Sequence, residues 1–206
     1  MSKSKKVIPV ISINADIIDD ALDALKKKPF EITSGTIKDG KCIYGYEIKT
    51  GPTAGDKIPK RNGEAYAHDD LGVAFSKLNI HLAIIDDAFK ISGIEVTSLD
   101  ILEEHAITEN YHVNKFSVSG ENEDESIVIE GEKWVTTGSI TIASPKIKTK
   151  SSNYPFFEEL REDIENCRSE VEAYMNGKSA PKVEQGEFDF SFPGNSTEPD
   201  EFDKPL

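Results

Sequence analysis

From Phe157 to Tyr174 the apolar residues are Phe157, Leu160, Ile164, Cys167, Val171 and Tyr174, alternating steps of three and four that draw one stripe along a helix. Pro155 suits the first turn, Glu158 and Glu159 favour the positive end of the dipole, and Gly177 marks the stop. The stripe would also serve to pair the helix with a second copy, giving a homodimer, but packing on the body of the same chain is the plainer use. A second stripe runs through Leu71, Ala74, Phe75, Leu78, Leu82, Ile85 and Phe89, and predicts one helix capped by Asp69 or Asp70. A shorter one, Ile17, Ile18, Ala21, Leu22 and Leu25, ends on Lys26-Lys27-Lys28.

Strand signals fill the intervals. Val7 to Ile13 reads as a strand, and Phe30 to Ile37 with Lys41 to Lys49 as a hairpin about Asp39-Gly40. Ile91 to Leu102 and Tyr111 to Val118 follow as strands. Ile127 to Ile129 and Trp134 to Ile142 flank Glu130-Gly131-Glu132-Lys133, whose residues suit a turn, with a slip or bulge near Gly138. Thr50 to Tyr66, rich in Gly, Pro and Lys, reads as a long loop. The order predicts an α+β fold, a largely antiparallel sheet with packed helices, for which an OB-like arrangement is one form. Residues 1–177 form a single domain in this reading. Residues 178–206 form an acidic C-terminal tail with the composition of a disordered segment.

Composition narrows the classes. The chain of 206 residues carries a formal net charge of −14. Residues 183–206 hold seven acids against Lys204 alone, a net of −6 that leaves −8 on the rest, so any nucleic-acid contact must be a local basic patch. Two cysteines, Cys42 and Cys167, fit a reducing compartment better than a disulfide framework. No apolar run is long enough to span a membrane, and Met1 to Ile13 lacks the form of a signal peptide, so the expected location is the cytoplasm.

Catalytic chemistry finds little footing. His68-Asp69 with His81, His105 and His112 has the residue types of a metal hydrolase, but no ligand-like spacing, and the cysteines fall in apolar patterns. The expectation is a non-enzymatic protein with no metal and no cofactor. Lys146, Lys148 and Lys150 alternate along one strand face, with Trp134 and Tyr154 close in sequence, and Lys57, Lys60 and Arg61 add a basic loop. Cations that track phosphates and rings that stack on bases are what a single-strand binder needs, although edge strands also use lysine against aggregation.

The tail carries two resemblances. Gln185-Gly186-Glu187-Phe188-Asp189-Phe190 resembles the peptide by which bacterial replication proteins dock on the sliding clamp, with Phe188 where a leucine is usual. Pro199 to Leu206, with Phe202 and Leu206, resembles the acidic, aromatic-tipped tail of single-stranded DNA-binding proteins, with Lys204 inside the acidic run. With the strand-helix-hairpin start and the Glu170 to Lys178 helix end, the whole layout resembles small phage or mobile-element replication and recombination accessory proteins. That resemblance implies single-stranded DNA as partner, contacts at Lys146, Lys148, Lys150, Trp134, Tyr154, Lys57, Lys60 and Arg61, and a tail that recruits the clamp or another replication protein. The second reading is an acidic protein-interaction module, an inhibitor or virion component, that touches no DNA.

Overall fold

The Asp39-Gly40 turn, both residues in the left-handed region with φ of 53° and 71°, closes the first hairpin of a computed structural model that describes residues 28–120, 124–148 and 154–181. It joins β1 (Phe30–Lys38) to β2 (Lys41–Ile48) in the register Lys38↔Lys41, Ile37↔Cys42 and Gly35↔Tyr44. The segment predicted as a loop supplies the next strand, β3 (Lys57–Tyr66), antiparallel to β2. It shows no alternation in sequence because it is an edge strand, wet on both sides apart from half-buried Ile58 and Gly63.

The predicted single helix after His68 is three: α1 (Asp69–Ser76), α2 (Leu78–Ile85) and α3 (Ala88–Ile91). The expected stripe is nevertheless buried at Leu71, Ala74, Phe75, Leu78, Leu82 and Phe89, because the axis re-aims at Asp87, whose φ is 56°. The cap of α1 is His68, whose Nδ1 accepts the Asp70 N–H at 3.2 Å, and not either aspartate. Ile91 to Leu102 is not a strand: Gly93, with φ of 72°, ends α3, and an irregular stretch leads to α4 (Leu99–Glu103). α5 (Ala106–Glu109) follows, with His105 Nδ1 accepting from the Ile107 N–H at 3.1 Å.

β4 (Tyr111–Ser119) lies beside β1, and β5 (Ser126–Val135) beside β4. The expected turn at Glu130 to Lys133 is inside β5. Gly131 is there because β4 comes close: a Cβ would stand 2.3 Å from the His112 carbonyl oxygen and 2.7 Å from the Val113 Cα. The real turn is Thr136-Thr137, leading to β6 (Gly138–Ala143). β7 is only Ile147–Lys148, paired with Ser126 and Ile127. The result is an open, antiparallel, 7-stranded sheet in the order β3-β2-β1-β4-β5-β6, with β7 on β5. The predicted elements Val7 to Ile13 and Asp16 to Leu25 lie outside the described residues, as do Lys150 and the tail residues Gln185, Phe188, Phe190, Phe202 and Leu206.

α6 (Phe157–Met175) covers one face of the sheet together with α1 and α2, and all six residues of its predicted stripe are buried. That stripe is spent on the chain's own body. In the middle of the sheet the approach is close at Gly35, where a Cβ would meet Phe116 Cε1 at 2.6 Å and Val171 Cγ2 at 3.1 Å. Polar groups tie the layers at the far end. Tyr111 Oη and Lys133 Nζ both donate to Asp86 Oδ2 at 2.6 Å, joining β4 and β5 to the end of α2. Beside the register shift in β4, the Val113 N–H donates to Asn79 Oδ1 at 2.8 Å, so the irregularity leaves no orphan there.

Burial pushes the Asp86 carboxyl up, but hydrogen bonds from Lys133 and Tyr111 outweigh it and hold the group below its ordinary value. The same bond to Asp86 is the main cause that raises the Lys133 ammonium. A depressed carboxyl contributes stability above its unfolded value, about 3.9, and loses it as pH falls through the folded value. A raised ammonium contributes below about 10.4 and loses as pH rises through its folded value.

Two outcomes are expected. Gly35→Ala should cost about 1–3 kcal/mol in urea unfolding, the range for overpacking a filled core. Asp86→Asn should cost about 1.5–3 kcal/mol at pH 7, the range for a lost charged hydrogen bond. The gap from the parent chain should narrow as pH falls below about 4, where the unfolded chain takes up this proton before folded Asp86 does. A gap that stays constant down to pH 3 would show that the charge of Asp86 contributes nothing.

Candidate nucleic-acid interface

The predicted contact residues fall in three places. Lys57, Lys60 and Arg61 lie on β3 at one edge of the sheet, while Lys146, Lys148 and Trp134 belong to the other end. Between β3 and β5 stand β2, β1 and β4, a separation of about 19 Å at the usual strand spacing. Lys148 pairs with Ser126 at the start of β5 and Trp134 stands near its finish, about 27 Å further along the strand. The sheet thus separates the predicted lysine rail from its predicted tryptophan.

Tyr154 is not an open platform. His81 is fully buried, and each of its ring nitrogens needs a partner. Tyr154 Oη meets Nδ1 at 2.6 Å and Asp163 Oδ2 meets Nε2 at 3.1 Å, so the tyrosine holds α2 against the approach to α6. Its ring stands edge-on to both His81 and Phe156, and burial, with Glu159 and Asp163 adding to it, pushes its hydroxyl strongly up. Tyr44 and Tyr46 pack into the core with Phe30 and Tyr174. Lys57 is paired with Glu47 at 3.6 Å.

What the fold does assemble is a corner where the β1–β2 turn meets β3. Register sets Lys41 across from Tyr66, and its ammonium stands 5.5 Å from the centre of that ring. Tyr66 is 63% exposed, and it lies over the turn because Gly40 has no Cβ, which would come within 3.0 Å of the ring. Lys38, Lys60 and Arg61 form no ion pair among the described residues. Lys38, Lys41 and one open ring therefore share this corner, with Asp39 and Glu64 as its acids, and Lys60 and Arg61 extend the basic edge along β3, Arg61 in register with Tyr44. Next to it is a shallow groove of about 400 Å³ lined by Ile37, Gly40, Ala67, His68, Gly72 and Val73.

Lys38, Lys41 and Tyr66 were not among the predicted contacts. The lysines flank a turn the sequence signals strongly, and Tyr66 becomes their neighbour only once residues 57–66 are paired as a strand.

The chain leaves α6 toward this corner. Gly177, with φ of 100°, ends the helix, and Lys178 donates to Glu170 at 2.7 Å and meets Asp70 at 2.6 Å. The hydrogen bond from Lys178 is the chief cause that lowers the Asp70 carboxyl, and the bonds to Asp70 and then Glu170 raise the ammonium. Ser179 bridges Ala67, and the Ala180 N–H donates to the Tyr66 carbonyl at 2.9 Å. Pro181 thus emerges beside Tyr66 and the groove, just before the acidic segment in sequence.

Of the other reactive groups, His112 is exposed on β4, while the rest are occupied or buried. His68 and His105 cap helices, burial pushes the Cys42 thiol up to about 12, and it raises Cys167 further. Among the described residues no cluster of three or more His, Cys, Asp or Glu is placed to hold a metal, and no helix is long and apolar enough to cross a membrane. No protein family, curated protein or solved structure was found to match the chain.

Proposed function

We propose that the chain is a non-catalytic single-stranded DNA-binding accessory protein whose contact surface is the β3 corner. Lys38, Lys41, Lys60 and Arg61 track phosphates, and Tyr66 offers its face to a base. The observation that carries this reading is where the described chain ends: the Ala180 N–H on the Tyr66 carbonyl sets Pro181 beside the corner, just before the acidic segment in sequence. In this reading the tail screens the corner when no strand is bound, and Gln185, Phe188 and Phe190 recruit the sliding clamp or another replication protein once DNA displaces it. Replication or recombination of a phage or mobile element, in the cytoplasm of its host, is the setting that fits.

Contact with about four phosphates predicts a slope near −3 for log K against log salt on a single strand. Fluorescence anisotropy of a labelled oligonucleotide at low salt is the test. A chain ending at Pro181 should bind more tightly than the full chain. In it, Lys60→Ala with Arg61→Ala should shrink the slope by about 1.4. Tyr66→Ala should weaken binding by about 1–3 kcal/mol, while Trp134→Ala leaves it unchanged. No binding by either length would overturn the proposal and leave the acidic protein-interaction module as the reading to pursue.

A further inference from the structure

The two edges of the sheet are guarded differently. β3 presents Lys57, Pro59, Lys60, Arg61 and Glu64, the charges and proline that keep an edge from pairing with another chain. β6 presents Gly138, Ser139, Ile140, Thr141, Ile142 and Ala143, and sits in Trp134 to Pro145, the longest stretch of the chain without a charged side chain. No described residue pairs with its outer side. Trp134, Val135 and Ile140 beside it are 55%, 40% and 49% exposed. In a chain of net charge −14, a bare edge of this kind has been left open to pairing.

The backbone alternation says which groups face outward. The Thr136-Thr137 turn makes Val135↔Gly138 the closing pair, which in a hairpin of this kind exchanges its ladder bonds. At the other end the Ser144 N–H donates to the Ile129 carbonyl at 2.8 Å, in phase with that alternation. Gly138, Ile140 and Ile142 therefore bond to β5, and Ser139, Thr141 and Ala143 aim their backbone groups at the open edge.

We propose that two copies of the chain pair antiparallel through β6 across a two-fold axis at Thr141, joining their sheets into one. Thr141 then faces its own copy, Ser139 faces the partner's Ala143, and the outward groups form about six ladder bonds. Ile140 meets the partner's Ile142 on the helix side of the sheet, the side of buried Val113 and Tyr111. The threonine pair lies on the other side, where Trp134, in register with Ser139, stands next to the junction. Every side chain brought together is uncharged, so the strand is complementary to itself. Pairing β3 with β3 would set cations against cations, and Pro59 there lacks an N–H.

Sedimentation velocity on the full chain tests this. The parent chain should run as a dimer at micromolar concentration. Thr141→Lys sets two like charges face to face on the axis and should weaken association roughly 100-fold. Its side chain is exposed and its backbone groups bond to no other described residue, so circular dichroism should be unchanged. Mixing Thr141→Lys with Thr141→Glu should restore the dimer. The single tryptophan gives a second reading, since emission of the parent chain should shift to the red on dilution while that of Thr141→Lys is already red-shifted. A monomeric parent chain, the result expected if another segment of the same chain covers β6, would overturn the proposal. So would a dimer that Thr141→Lys leaves intact.

Discussion

Everything in this fold leans on the contact between α6 and the middle of the sheet. The helix brings a stripe of six buried side chains to β1 and its neighbours, and at Gly35 the sheet yields a side chain so that Phe116 and Val171 can close over it. Helices α1 and α2 pack beside α6 on the same face, Phe75 against Phe116 with ring centres 5.5 Å apart, so a single core serves all three. Full burial of side chains such as Leu160, Ile164 and Phe116, each worth about 1.5–3 kcal/mol, makes this layer the main source of stability.

That one-sided construction leaves the edges as the places where the protein can meet something else. The middle of the face away from the helices carries Ser34, Thr36 and Ser117 and the Lys115–Glu130 pair at 2.6 Å, small groups and a neutralised charge, and its open ring, Trp134, stands out at the β6 margin. At β3 the cations are exposed and Tyr66 stands open. At β6 there is no charge, and no described residue pairs with its outer side. The edges are separated by the full width of the sheet, so strand binding at β3 and self-pairing at β6 do not compete for surface.

Legibility in the sequence tracked burial. The α6 stripe was readable because all its positions are buried, and the Asp39-Gly40 hairpin because the turn demands positive φ. β3 was not readable, since a strand exposed on both faces has no reason to alternate. Glu130 to Lys133 read as a turn because Gly131 and its charged neighbours resemble one. In fact the glycine answers to the close approach of β4, and Glu130 to Lys115 across the sheet, and neither contact is local. The same limit hid the candidate site: Trp134 and Lys148 are near in sequence yet stand toward opposite ends of β5, while Lys41 and Tyr66 are far apart in sequence and meet across one ladder.

Net charge is a poor guide to what such a surface does. Fields from exposed charges fade over about 8 Å at physiological salt, so acids that stand further than that from the corner act on it weakly. What the corner cations feel most is whatever lies within that distance, and the Ala180–Tyr66 bond ends the described chain beside Tyr66, just before the acidic segment in sequence. A tethered segment acts at an effective concentration set by its linker, which a free strand must exceed to compete. In the proposed function the two stores of acid differ in kind: the body's, apart from Asp39 and Glu64 at the corner itself, is a fixed background, and the tail's would be a tethered competitor for cations that form no ion pair among the described residues.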